Sequence, residues 1–192
     1  FAAVADDLTV AVEVLARLDA AQARALFGRR CQGLVVVPGD GPRLAVREAR
    51  HPLLDPLLGP LRAEVFADRE QRPADAAVVP LDLALAEGLG ALVISGPNAG
   101  GKTVVLKTLG LVVMMVYHGI PVAVAEGTTV PAFDGLWCHV GDEQDVAADL
   151  STFSGAMSAT ARLLASAGER VLVLYDELGA GTDPLEGAAL GC

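Results

Sequence analysis

Apolar residues recur at helical spacing near the start of the chain. Residues 3–27 carry Ala, Leu and Val with Asp, Glu and Arg between them, a pattern that predicts one amphipathic helix. The apolar face of this helix requires a partner. Short segments broken by Pro and Gly follow within residues 33–56, where we expect a strand, a turn at "PGDGP" and a second strand.

Apolar runs and helical patterns alternate over the rest of the chain. The predicted strands lie at 76–85, 91–95, 121–127, 133–141 and 170–177, and the predicted helices at 102–118, 151–168 and from Pro184 onward. The runs at 91–95 and 170–177 are apolar enough to be buried. Strands that alternate with helices predict an α/β fold with a mainly parallel sheet covered on both faces.

Length and composition restrict the class of protein. With 192 residues, 53% of them hydrophobic, the chain can bury a sizeable core. The apolar stretch Leu109–Tyr117 is far shorter than the roughly 20 residues of a membrane helix, so we expect a cytoplasmic protein without a membrane partner. The chain starts without Met and stops inside a predicted helix, so we expect a piece of a longer protein. The three cysteines lack metal-ligand spacing and predict reduced thiols: Cys31, Cys138 and Cys192.

The net charge of −10 is unevenly distributed. Up to Asp75 there are 10 basic and 11 acidic residues, whereas from Ala76 onward there are 4 basic and 13 acidic ones. This second part would repel a polyanion such as DNA at long range. If the protein handles nucleic acid, we expect other regions to grip it.

The octet "GPNAGGKT" fits the phosphate-loop pattern G-x-x-x-x-G-K-[ST], between a predicted buried strand and a predicted helix. Glycines let backbone N–H groups surround phosphates, and the helix N-terminus adds partial positive charge. Lys102 would reach the terminal phosphates and the Thr103 hydroxyl would bind Mg²⁺. An accidental glycine turn is the alternative. The predicted phosphate-binding residues are Gly96, Pro97, Asn98, Ala99, Gly100, Gly101, Lys102 and Thr103.

A second motif, "VLVLYDE", places two carboxylates at the end of a strand. Asp176 could hold Mg²⁺ there, and Glu177 could polarise an attacking water. An Asp-Glu pair after a strand is otherwise a solvated loop.

The sequence lacks motifs that other nucleotide-binding proteins need, and this restricts both the nucleotide and the type of reaction. Asn98 is the only asparagine, so a guanine-reading Asn-Lys-x-Asp loop does not occur and ATP is favoured. A kinase lid needs several arginines, whereas Lys107, Arg162 and Arg170 are the only basic residues after Lys102. Hydrolysis is therefore favoured over phosphoryl transfer.

Four motifs together resemble the ATPase domain of the MutS family, which belongs to the ABC-type ATPases. They are "GPNAGGKT", "GDEQD" at 141–145, "LSTFSGAM" at 150–157 and "DELGAGTDP" at 176–184. Leu178, Ala180, "TDP" and "GDEQ" are most similar to the second bacterial MutS paralogue, which suppresses recombination. The resemblance implies a phosphate-loop ATPase fold of ABC type with an antiparallel β portion. Residues 1–30 would end a helical core and lever region, and residues 31–192 would form an ATPase domain that is incomplete at its C-terminus.

The resemblance also implies roles for single residues. Glu177 would be the general base, Thr103 and Asp176 would serve Mg²⁺, and Asn98 would lie near the terminal phosphate. Gln144 would sense metal or water, although its acidic surroundings are also typical of a solvated loop. Ser151 would contact ATP bound to the other subunit of a homodimer, although an N-cap role is the alternative.

The implied parent protein is a dimeric, nucleoid-associated bacterial ATPase that drives a DNA clamp located upstream. A downstream nuclease domain acting on branched DNA and a link to stalled ribosomes belong to the same expectation. Residues 76–78 lack the purine-stacking aromatic of mismatch-repair members. The alternatives are a mismatch-repair ATPase, a transporter or chromosome-maintenance ATPase, and a dimerisation module that binds ATP without cleaving it.

Overall fold

A computed structural model describes residues 2–41, 43–66, 78–85, 88–97, 100–140, 152–166, 168 and 170–176. The chain divides into two compact units. The first unit consists of Phe1–Leu92 with Leu111–Pro131, and the second of Val93–Gly110 with Ala132–Cys192.

Four α-helices and four strands account for the regular structure of the described residues. In chain order they are α1 (Ala2–Cys31), β1 (Ala45–Ala49), a 3₁₀ turn (Pro56–Leu58), α2 (Gly59–Phe66), β2 (Leu81–Ala84), α3 (Lys102–Tyr117), β3 (Gly135–His139), α4 (Thr152–Ser166) and β4 (Val171–Tyr175). The helices predicted at 3–27, 102–118 and 151–168 are confirmed as α1, α3 and α4. Helix α2 was not predicted.

In the first unit, β1 and β2 pair in antiparallel orientation. The strands predicted at 33–37 and 121–127 are reduced to a single bridge between Leu34 and Val122. Around this small sheet, the fully buried side chains include Val46, Val122 and Val130. Apolar residues on neighbouring segments therefore form the core here, although most of those segments are not regular strands.

From residue 5 onward, helix α1 is buried only at its C-terminal end. Cys31 is fully buried with Leu58 and Ala123, and a Cβ on Gly28 would lie 2.7 Å from the Pro121 ring. Residues 5–26 are exposed along the helix. The partner predicted for its apolar face is therefore not among the described residues. None of the described helices is both long enough and apolar enough to cross a membrane.

In the second unit, β3 and β4 pair in parallel, with Gly135 opposite Val171 and His139 opposite Tyr175. Successive strand residues face opposite sides. Leu174 lies against Gly110 of α3, whereas the neighbouring Tyr175 contacts α4. The part of α3 up to Gly110 and helix α4 therefore lie on opposite faces of this parallel pair.

The buried strand predicted at 91–95 is wrong for this structure. These residues form no strand, and Val93 is 87% exposed. A strand is held by backbone hydrogen bonds to a neighbour, and none of the described residues provides them to this segment. The described sheets are consequently one parallel and one antiparallel pair, not one large parallel sheet.

Candidate functional site

The glycine loop ends in the first turn of α3. Gly96 has φ 151° and Gly101 has φ 80°, backbone conformations that residues with a Cβ rarely adopt. The N–H of Gly100 donates to Pro97 O at 2.9 Å, and α3 begins at Lys102. The loop thus delivers the chain directly to a helix N-terminus, where unpaired N–H groups favour an anion. Asn98 and Ala99 lie outside the described residues.

Lys102 closes the loop on itself. Its Nζ donates to the carbonyl oxygen of Gly96, the first residue of the octet, at 2.7 Å. The ammonium group therefore lies beside the loop that the sequence predicts to hold phosphates, and a phosphate would compete with a backbone carbonyl for it.

Thr103 and Asp176 meet although 73 residues separate them in the chain. Thr103 Oγ1 donates a hydrogen bond to Asp176 Oδ2 at 2.6 Å, a length typical of a hydroxyl bound to a carboxylate. The N–H of Asp176 donates to His139 O at 2.9 Å, which continues the β3–β4 ladder by one residue. The structure thus brings together the two residues that were predicted to serve Mg²⁺.

The oxygen atoms of this pair fit Mg²⁺. Magnesium takes oxygen ligands, and it is usually held by one or two carboxylates together with waters and substrate phosphates. One carboxylate and one hydroxyl beside a phosphate loop meet that requirement. Among the described residues there is no group of three or more His, Cys, Asp or Glu side chains that could hold a metal ion by itself.

Two further side chains, which the sequence analysis missed, lie beside Asp176. The rings of His139 and Tyr175 have centroids 4.8 Å apart, and Thr160 Oγ1 donates to the Tyr175 hydroxyl at 3.3 Å. The signal for Tyr175 was present, because it is a polar aromatic residue at the end of an otherwise aliphatic strand, directly before the carboxylate.

Neither described cysteine is set up as a nucleophile. Burial raises the pKa of the Cys31 thiol above its ordinary value. Cys138, one residue before His139, is exposed; partial desolvation still raises the pKa of its thiol, and the nearby Lys107 ammonium opposes the shift. Both are free thiols, as the sequence predicted.

Three further predicted site residues, Gln144, Ser151 and Glu177, also lie outside the described residues. Their roles stay predictions. Two of them adjoin described elements, since α4 begins directly after Ser151 and Asp176 directly precedes Glu177.

Comparison with known proteins gives a family match over just more than half of the chain. Residues 92–192 match the family model of MutS domain V, the phosphate-loop ATPase domain of MutS proteins. The chain is 40% identical over 187 residues to Endonuclease MutS2 of Exiguobacterium sibiricum, covering 97% of this chain and 21% of that protein. It is 40% identical over 189 residues to Endonuclease MutS2 of Bacillus cytotoxicus, covering 98% of this chain and 22% of that protein.

A third relative, Endonuclease MutS2 of Gemmatimonas aurantiaca, is 42% identical over 188 residues, which are 97% of this chain and 21% of that protein. The chain thus spans about one fifth of the length of the relatives that it matches.

Proposed function

The chain belongs to the MutS family, and from this premise we propose that it is the ATP-binding and ATP-hydrolysing part of a dimeric MutS-type protein. The observation that carries the proposal is the 2.6 Å hydrogen bond between Thr103 and Asp176. It joins the last residue of the glycine loop to the carboxylate at the end of β4. A fortuitous glycine turn has no reason to meet a strand-end carboxylate 73 residues away.

The glycine loop and Lys102 would bind the phosphates of ATP. From Ala76 onward the chain has 4 basic and 13 acidic residues, so the general field of this part repels ATP. Local donors must overcome that repulsion. The N-terminus of α3 and the Lys102 ammonium supply them, because both are directed at the loop that begins at Gly96.

Thr103 and Asp176 would hold Mg²⁺, and the cation would neutralise phosphate charge. The hydroxyl of Thr103 would then turn a lone pair toward the cation instead of donating to Asp176. Glu177 follows Asp176 in sequence and would accept a proton from the attacking water. Gln144 would sense the metal or the water, and Ser151 would contact the ATP of the partner subunit in a composite site.

The relatives also suggest a biological role for the parent protein. The relatives are named as endonucleases of the MutS2 type, which supports assignment to the second bacterial paralogue. The parent protein would bind branched DNA through other regions, suppress recombination and act in the bacterial cytoplasm near the nucleoid. We also propose that the parent protein takes part in the rescue of stalled ribosomes.

Nucleotide binding tests the proposal directly. Binding of a fluorescent ATP analogue to the intact protein is measured with Mg²⁺ and with EDTA, for the native protein, for Lys102→Ala and for Lys107→Ala. Lys107 is the matched control, because it is the other lysine of α3 and lies one turn beyond the loop. We expect Lys102→Ala to lose binding and Lys107→Ala to retain it. Unchanged affinity in Lys102→Ala would overturn the proposed function.

Hydrolysis is separated from binding by Glu177→Gln. The amide preserves shape and removes the base, so ATP should remain bound while single-turnover cleavage slows by roughly 100-fold or more. Cleavage at the native rate would exclude Glu177 as the base, and another carboxylate such as Asp142 or Glu143 would then have to serve.

The composite site is tested by mixing subunits. A Ser151→Ala subunit paired with a Lys102→Ala subunit has one site with both defects and one with neither. Heterodimers should therefore recover about one native site, whereas either variant alone should be defective. Heterodimers without recovered ATPase activity would contradict a contribution of Ser151 across the dimer.

A further inference from the structure

Tyr175 contacts two secondary-structure elements, and the proposed function gives it no role. Its ring lies 4.8 Å from that of His139 at the end of β3, with 39° between the ring planes. Its hydroxyl accepts a hydrogen bond from Thr160 of α4 at 3.3 Å. Tyr175 is also the last residue of β4, directly before Asp176. One side chain therefore connects β3 and α4 to the strand that carries the carboxylate.

Asp176 is held by two hydrogen bonds besides its peptide link to Tyr175. Its N–H donates to His139 O at 2.9 Å, while its carboxylate accepts from Thr103 at 2.6 Å. Because successive strand residues face opposite sides, Asp176 is directed toward the start of α3 and Tyr175 toward α4. A displacement of the Tyr175 backbone would therefore be passed to Asp176 through a single peptide unit.

We propose that Tyr175 is a positioning residue that couples the Asp176 carboxylate to helix α4. The inference rests on the proposed function and adds a connection within it. Helix α4 begins at Thr152, directly after Ser151, and Thr160 lies eight residues further, about 12 Å along the helix axis. The contact between Thr160 and Tyr175 links the helix that follows Ser151 to the carboxylate of the same subunit.

Conservative variants separate positioning from simple space filling. Tyr175→Phe keeps the ring and removes the hydroxyl, and Thr160→Val keeps the shape of its partner. We expect each to lower kcat for ATP hydrolysis by the intact protein about threefold, while KM for ATP changes less than twofold. The expected effect is at the low end for a neutral hydrogen bond because 3.3 Å is long for two hydroxyls.

Two further variants test whether the hydroxyls act as a pair. If they do, the double variant Tyr175→Phe/Thr160→Val should be no slower than either single variant. Thr160→Ser retains a hydroxyl and should restore nearly native kcat.

Tyr117→Phe is the matched control for loss of a tyrosine hydroxyl, since the Tyr117 hydroxyl donates to Pro131 O at 3.1 Å in the first unit. It should leave kcat at the native value. Three results would each overturn the inference. The first is native kcat in Tyr175→Phe, and the second is a double variant in which independent effects multiply to about a ninefold loss of kcat. The third is a Thr160→Ser variant that is as slow as Thr160→Val.

Failure of the proposed function would have a different signature. In that case Lys102→Ala would bind and cleave ATP like the native protein. If only the positioning role is wrong, Lys102→Ala stays defective and Tyr175→Phe is indistinguishable from the native protein.

Discussion

Two aspartates, one in each unit, show how differently the chain uses a carboxylate. In the first unit Asp55 is fully buried, accepts from Arg50 Nε at 2.8 Å and accepts from the N–H of Leu57 at 3.0 Å. In the second unit Asp176 is half-buried and accepts from the hydroxyl of Thr103 at 2.6 Å. The first carboxylate is bound by a cation and a backbone donor, and the second by a neutral hydroxyl.

The difference separates a structural carboxylate from one that is available for a ligand. Arg50 also donates to the carbonyl oxygen of Cys31 at 2.6 Å, so Asp55 and Arg50 together join the end of α1 to the 3₁₀ turn. A further cation would find the charge of Asp55 already compensated. The hydrogen bond from Thr103 does not compensate the charge of Asp176, because the hydroxyl is neutral. If a cation bound to the Asp176 carboxylate, the hydroxyl could turn and bind that cation as well.

Asp55→Ala should have the largest effect on stability. The change leaves the Arg50 guanidinium largely buried without its carboxylate and removes the N-cap of the 3₁₀ turn, so we expect a loss of about 3 kcal/mol. Urea unfolding of the intact protein measures it. A loss below about 1 kcal/mol would contradict the structural role given to Asp55.

Asp176→Asn should have little effect on stability and a large effect on ATP turnover. The amide keeps the shape and can still accept from Thr103, so the free energy of unfolding should change by less than about 1 kcal/mol. ATP turnover should fall at least about 100-fold, because the charge that would hold Mg²⁺ is removed. Titration with Mg²⁺ during turnover checks the cause: native Mg²⁺ dependence in the variant would show that Asp176 does not serve the cation.

The two units also differ in how tightly a helix glycine is packed, at Gly28 in the first unit and at Gly110 in the second. A Cβ on Gly28 would lie 2.7 Å from the rigid ring of Pro121, whereas one on Gly110 would lie 3.0 Å from the movable end of Leu174. In a helix, Ala is favoured over Gly by up to about 1 kcal/mol. We expect Gly28→Ala to lose about 1 kcal/mol despite this gain and Gly110→Ala to be neutral or stabilised. Thermal unfolding measures both variants, and equal stability changes in the two would contradict this predicted difference.

The smallest effect should come from Asp134→Ala. Asp134 and Arg170 form an ion pair at 3.0 Å in the second unit, but their side chains are 57% and 61% exposed. Exposed pairs contribute less than about 1 kcal/mol, and salt screens them. The free energy of unfolding should therefore change little in urea. A loss as large as that of Asp55→Ala would mean that burial does not explain the difference between the two ion pairs.

Local patterns predicted the elements of the site well. Helical spacing predicted α1 and α3, and an aliphatic run that ends in "DE" predicted β4 with Asp176 at its end. The proximity of Thr103 and Asp176 followed from the phosphate-loop motif, because that motif requires a strand-end carboxylate near its last hydroxyl.

Long-range partners could not be predicted in the same way. The apolar run 91–95 indicates an affinity for a core but does not specify which strand would pair with it, and in the structure none of the described residues does. The ion pair of Arg50 with Asp55 lies in a Pro-containing segment without periodicity, where no spacing rule applies. The contact between Thr160 and Tyr175 depends on how α4 packs on β4, which neither element reveals alone.

The hydrogen bond between Thr103 and Asp176 also sets an order of events during synthesis of the chain. The two residues are 73 positions apart, and a ribosome adds about 5–20 residues per second, so Thr103 is made about 4 to 15 s before its carboxylate partner. During that interval α3 and the glycine loop can form from local interactions, whereas β4 does not yet exist. A nascent chain therefore carries the loop without the carboxylate, and this pair can form only after translation has passed Asp176.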